Sequence, residues 1–170
     1  MEKINFTNKK APAINGYNLN QLQTNIENAI NENNYKGDFL NVTLSEDFIL
    51  SSANYTTIPF KDIYFQNGSS LTLNGSGGIV IGANVQAVRL YGLAYYYSGT
   101  VGQKGVQIYK NSDLVSRKTY QNVPSYTGLD ISTTISVVEG DVIVLQVMGA
   151  NGDLIKDYNH ATQFVVEVVK

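Results

Sequence analysis

The sequence has no cysteine and no tryptophan, only three prolines and a single histidine. Without cysteine there is no disulfide framework, no thiolate zinc site and no cysteine nucleophile. One imidazole excludes a histidine-based metal cluster. Charged residues make up only 15% of the chain, and the net charge is −2 from 12 basic and 14 acidic residues. A broad nucleic-acid-binding surface or a polybasic membrane patch is therefore not expected. No apolar run approaches the ~20 residues of a membrane span, so no membrane insertion is expected. Residues 1–17 have no signal-peptide pattern, which leads us to expect synthesis in a bacterial cytoplasm and departure, if any, as part of a larger particle. Against these absences stand a 43% hydrophobic content and 12 tyrosines. The first is enough for a packed core and excludes full disorder.

The chain changes character at Lys36-Gly37, giving an expected N-terminal segment over 1–36 and a β domain over 37–170. The spacing predicts one helix over Asn18–Asn33. Its apolar residues are Leu19, Leu22, Ile26, Ala29 and Ile30, of which the first four step by three, four and three, a narrow heptad seam, with Asn18 placed to cap it. Asparagine-rich and short, such a helix needs a partner surface. It either lies on the β domain or bundles with copies of itself.

From Gly37 onward, strand-sized runs recur. They are Phe39–Leu44, Phe48–Ser51, Thr57–Phe60, Ile63–Phe65, Ser70–Leu73, Gly78–Ile81, Ala87–Tyr97, Val106–Lys110, Leu114–Tyr120, Thr133–Val138, Val142–Met148 and Gln163–Val169. Turn signals separate them, among them Asn67-Gly68, Asn74-Gly75, Glu139-Gly140-Asp141 and Asn151-Gly152-Asp153. Many short strands with regular turns predict an antiparallel sandwich or jelly roll. In Phe164–Val169 and Val142–Leu145 both faces read as largely apolar, where a sandwich strand normally keeps one face wet. Sister copies are the simplest cover, which makes Phe164 and Val166 candidate oligomer contacts.

Two stretches resemble known families. Ile4-Asn5-Phe6 through Pro12, then Asn18-Leu19-Asn20-Gln21-Leu22-Gln23 and Asn25-Ile26-Glu27-Asn28-Ala29-Ile30, resemble the start of tail-associated proteins of phages that infect Gram-positive bacteria. Residues 37–170 are similar to the C1q/TNF-like jelly roll. The similarity lies in Thr57-Ile58-Pro59-Phe60, Gly78–Ile81, Val106–Asn111, Val138–Leu145 and the terminal Thr162–Val169 strand. These resemblances imply a mainly β chain: a jelly roll preceded by a short helix, assembled as a homotrimer with the terminal strand near the threefold axis. They further imply a virion appendage whose N-terminal segment meets other virion proteins. The chain lacks the long stalk or collagen-like repeat that often precedes such domains.

Catalysis is not expected. His160 has no G-x-S-x-G serine to serve, and Glu46, Asp47, Asp130, Glu139, Asp141, Asp153 and Asp157 are scattered. Gly75-Ser76-Gly77-Gly78 matches no phosphate-binding fingerprint and reads as a loop. Asn151, Asp153 and Asp157 carry cation-type oxygens, but at a spacing that reads better as a hairpin. No metal or cofactor is expected.

The tyrosines are the suggestive residues. In Tyr95-Tyr96-Tyr97 the outer two share a strand face and Tyr96 takes the other. Tyr95 and Tyr97, with Tyr120, Tyr126 and Tyr158 in or near expected loops, are the candidate ligand-binding residues. Exposed tyrosine beside asparagine, glutamine and serine suits a host-surface saccharide or protein. The expected function is a non-enzymatic, trimeric tail-fibre or receptor-binding protein of the virion. A purely structural appendage, such as a head fibre or baseplate connector, and a bacterial C1q-like surface protein are the alternatives.

Overall fold

The computed structural model describes residues 37–98, 101–157 and 160–169. The helix expected over Asn18–Asn33, with Leu19, Leu22, Ile26 and Ala29, lies outside these residues. Within them the chain forms only strands and turns, apart from one short helical turn at His160.

Thirteen strands follow in order: β1 (Phe39–Thr43), β2 (Phe48–Ile49), β3 (Thr56–Thr57), β4 (Asp62–Asn67), β5 (Leu71–Leu73), β6 (Ile79–Ile81), β7 (Ala87–Ser98), β8 (Gly102–Lys110), β9 (Asp113–Val123), β10 (Thr127–Ser136), β11 (Val142–Met148), β12 (Leu154–Ile155) and β13 (Gln163–Val168). They build two antiparallel sheets. The seven-stranded sheet runs β2-β12-β7-β13-β1-β4, with β10 on the other side of β7, and the six-stranded sheet runs β5-β6-β11-β8-β9, with β3 beside β11.

The core lies between the sheets because alternate residues of each strand point there. Val88, Leu90, Phe164, Val166, Leu40 and Val42 come from the larger sheet, and Ile143, Leu145, Val147, Val106 and Ile108 from the smaller, all at most 5% exposed. Each such side chain contributes about 1.5–3 kcal/mol when fully buried. Phe60 stacks on Phe164, with ring centroids 6.3 Å apart.

This placement corrects the expectation for Phe164 and Val166. Both are fully buried inside their own subunit and cannot meet a sister copy. β13 is apolar on its inward face because it is a central strand, flanked by β7 and β1. Its outward positions are Gln163, Val165 and Glu167, all half-buried. Only one of these is aliphatic, and Glu167 pairs with Arg89 at 3.1 Å.

The turn signals fall between strands, but several link the two sheets and not hairpin partners. Asn67-Gly68 joins β4 to β5, and Asn151-Gly152-Asp153 joins β11 to β12, with Gly68 and Gly152 at φ of 78° and 88°. The expected hairpin at Asn151–Asp153 is thus a crossing between sheets. It also leads into a strand, β12, too short to have been foreseen. In the β5–β6 hairpin the left-handed residue is Gly77, where a Cβ would meet the backbone oxygen of Ile58 at 2.4 Å.

Candidate functional site

Strand alternation sends the odd-numbered residues of β7 to the outside of the seven-stranded sheet: Arg89, Tyr91, Leu93, Tyr95 and Tyr97. Register then aligns neighbours into rows. One row reads Ser132, Tyr91, Val165, Asn41, Phe65 across five strands. The next reads Thr134, Arg89, Glu167, Phe39, Asn67. Tyr91 is 38% and Phe65 58% exposed, and the Phe39 ring meets Phe65 edge-on at 5.7 Å. The outer face of the larger sheet therefore carries an aromatic band, Tyr91, Phe39 and Phe65 with Val165, set among polar residues and crossed by the Arg89–Glu167 ion pair. The outer face of the smaller sheet differs. There Arg117 donates to Gln107, Gln107 donates to Gln146, and Gln146 donates to Thr57, a chain of polar side chains already satisfied.

At one end of the aromatic band, Tyr97 and Tyr126 meet edge to face at 5.1 Å, 41% and 62% exposed. Tyr126 holds φ at 63°, a region bulky residues rarely occupy. Such strain, of order 1–3 kcal/mol, persists where the surroundings impose it. The Lys156 ammonium lies 5.1 Å from the centre of the Tyr97 ring and pairs with Asp47. That ammonium, with the N–H of Asp157, holds the Asp47 carboxyl below its ordinary value. The end of the sheet thus offers two open rings beside a fixed cation–anion pair.

Of the tyrosines singled out from sequence, Tyr97 and Tyr126 come together here. Tyr95 shares their face but is half-buried, its backbone N–H donating to Thr162 Oγ1. Tyr120 lies on β9, an edge strand of the other sheet, and does not join them. Tyr158 is outside the described residues. Tyr91 and Phe65 were missed. The signal for Tyr91 was present, since it begins the alternation that continues through Leu93, Tyr95 and Tyr97.

His160 is exposed, with its ring 4.5 Å from that of Tyr64 and its backbone N–H on the Asp157 carbonyl. Burial pushes the Asp157 carboxyl above its usual value, partly offset by His160. Asp153 turns into the core, where its Oδ2 lies 2.8 Å from Lys104 Nζ, so it is not placed with Asp157 around a cation. Among the described residues, no group of three or more histidine, aspartate or glutamate side chains is placed to hold a metal ion. No helix among them is long and apolar enough to cross a membrane.

The fold is similar to solved structures of murine APRIL. Those determined at pH 8.5, 8.0 and 5.0 superpose with TM-scores of 0.63, 0.62 and 0.63, each at 14% sequence identity. They cover 79%, 78% and 78% of this chain and all of the compared chain. No family model matches the chain, and no curated protein matches it by sequence. Likeness at this identity concerns the fold, and the fold is a C1q/TNF-like jelly roll.

Proposed function

We propose that this chain is a non-enzymatic, homotrimeric binding module of a phage virion, a tail-fibre or receptor-binding protein that attaches to saccharide or protein on the host surface. The observation that carries the reading is the aromatic band on the larger sheet. A row in which Tyr91 and Phe65 are exposed and Val165 is half-buried is the kind of surface that association covers. The virion assignment is supported by the phage-like residues 4–30. The tyrosine pair Tyr97–Tyr126, beside Lys156 and Asp47, serves as the contact for host ligand. Three weak contacts on one trimer act at high effective concentration, so attachment is strong although each site is weak.

Light scattering over a dilution series tests the assembly, and a mass of three chains at micromolar concentration is expected. Binding of labelled protein to host cells, competed by soluble cell-wall saccharide, tests the attachment. A stable monomer overturns the first part. A trimer that binds virion proteins and leaves host cells untouched overturns the second.

A further inference from the structure

One buried cluster has no part in the proposed binding surface. Lys104 on β8 points between the sheets, and its Nζ lies 2.8 Å from Asp153 Oδ2 with the two side chains 0% and 1% exposed. The same Oδ2 accepts the backbone N–H of Ala150 at 2.8 Å. The turn carrying Asp153 is held by Leu50, whose N–H donates to the Asp153 carbonyl and whose carbonyl accepts from Gly152. It wraps the carboxyl so closely that a Cβ on Gly149 would stand 2.4 Å from Oδ2. The Tyr96 ring centre is 4.7 Å from Nζ, and the Tyr96 hydroxyl is anchored on the carbonyls of Gly105 and Met148. Burial pushes that phenol well above its ordinary value, so it stays protonated and neutral. Asp153 Oδ1, in contrast, is buried with no hydrogen-bond partner among the described residues.

A buried ion pair offsets its desolvation only when the remaining lone pairs are served, and here one oxygen is not. We propose that Lys104 and Asp153 are joined by an intramolecular isopeptide bond. A bond forms between Nζ and Cγ, and the bond from Cγ to Oδ1 breaks. Oδ1 leaves as water, taking two of the three ammonium protons; the third remains as the amide N–H. Oδ2 becomes the amide oxygen and keeps the Ala150 N–H. The condensation is redox-neutral and needs no co-reactant.

The geometry favours each part of this step. Nucleophile and carboxyl are held in contact, and fixed partners of this kind reach effective molarities of ~10⁵ M and above. The Ala150 N–H stands where negative charge develops on Oδ2 in the tetrahedral intermediate. The unpartnered oxygen is the one expelled, and two buried charges become one neutral amide, which an apolar interior holds at lower cost. A cavity of about 210 Å³ is lined by Asp153, Gly149, Ala150 and Gly102 among others, so free space lies beside the turn that carries the carboxyl. The bond ties β8 to the turn before β12, 49 residues away, and so limits the unfolded chain as any long-loop crosslink does.

Intact mass of the purified full chain, measured after denaturation, decides the matter. The wild type is expected lighter than its sequence mass by one water, and digestion is expected to release a branched peptide containing both Lys104 and Asp153. Lys104→Arg, which keeps the cation but offers no amine, and Lys104→Met, which removes the charge, are both expected at full sequence mass. A wild type at full sequence mass overturns the proposal even if neither variant folds. A water deficit that persists in both variants also overturns it, because the dehydration then lies elsewhere, as in succinimide formation at another aspartate.

Discussion

Truncating Tyr91 to alanine probes the proposed association face. The ring lies on the outside of a central strand, 38% exposed, in the row with Val165 and Phe65. A tyrosine presents about 200 Å², so some 75 Å² of this ring remains for a neighbour to cover, about 2 kcal/mol per subunit at ~25 cal/mol per Å². Three copies make roughly 6 kcal/mol per trimer, or ~10⁴ in the monomer–trimer constant. Because the concentration of half-dissociation varies as the square root of that constant, it rises by about 100-fold. Light scattering or sedimentation on a dilution series reads this shift directly. A urea melt of dissociated subunits, below the trimer midpoint, is the control; it should stay cooperative and fall by up to about 3 kcal/mol, because the unexposed part of the ring packs on its own subunit. An unchanged dissociation midpoint, with wild type and variant both trimeric, would show that this face is not the one covered. A variant that loses its urea transition would show instead that Tyr91 belongs to the core of the subunit.

Three further outcomes are expected. Tyr126→Gly should be more stable than Tyr126→Ala by about 1 kcal/mol in urea, because both lose the Tyr97 contact but only glycine accepts φ of 63° without strain; both should bind host cells more weakly than wild type. Gly77→Ala should cost 2 kcal/mol or more by the order of magnitude for strained or overpacked sites, since its Cβ would press on the fixed backbone of Ile58 and Phe60 at 2.4 and 2.7 Å, and an unaltered midpoint would refute that packing. Stability should also fall in acid. Burial works against ionisation of Asp141, but the Val138 N–H, the Asn111 amide and the Lys110 ammonium outweigh it and hold its carboxyl below the ordinary 3.8. The folded chain then binds that proton more weakly than the unfolded chain. The stabilisation is complete above about pH 4 and is lost as the pH falls below it. Asp38, held down by the Ser70 hydroxyl and the N–H groups of Ser69 and Ser70, adds in the same direction. Asp141→Asn should flatten the acid limb of stability against pH, and an unchanged limb would deny Asp141 this role.

The strand content was legible from local pattern. Val142–Met148 is a strand over its expected span, and Tyr95 and Tyr97 share the face that alternation assigned them, with Tyr96 turned inward. Period-two alternation is a local property, set by two neighbouring residues at a time, and needs no knowledge of the sheet. β12 was not legible, because two residues carry no periodicity. It is held as a strand by pairing with β2 and β7, both distant in sequence. The inward placement of Phe164 and Val166 was misread for a related reason. An apolar strand looks the same whether its cover is another sheet of the same chain or a sister subunit.

By itself the sequence determined that the chain from Gly37 onward is a cysteine-free β structure with a real core, broken at its Asn-Gly turns, because side-chain burial and left-handed turn residues act over a few positions. Only the tertiary structure decided which sheet each strand joins, that Tyr91 stands with Val165 and Phe65, that Tyr126 reaches Tyr97 while Tyr120 does not, and that Lys104 meets Asp153. Those pairings depend on cross-strand register and on which face of a sheet meets the other sheet. Both are fixed by contacts between residues tens of positions apart, and no local pattern contains them.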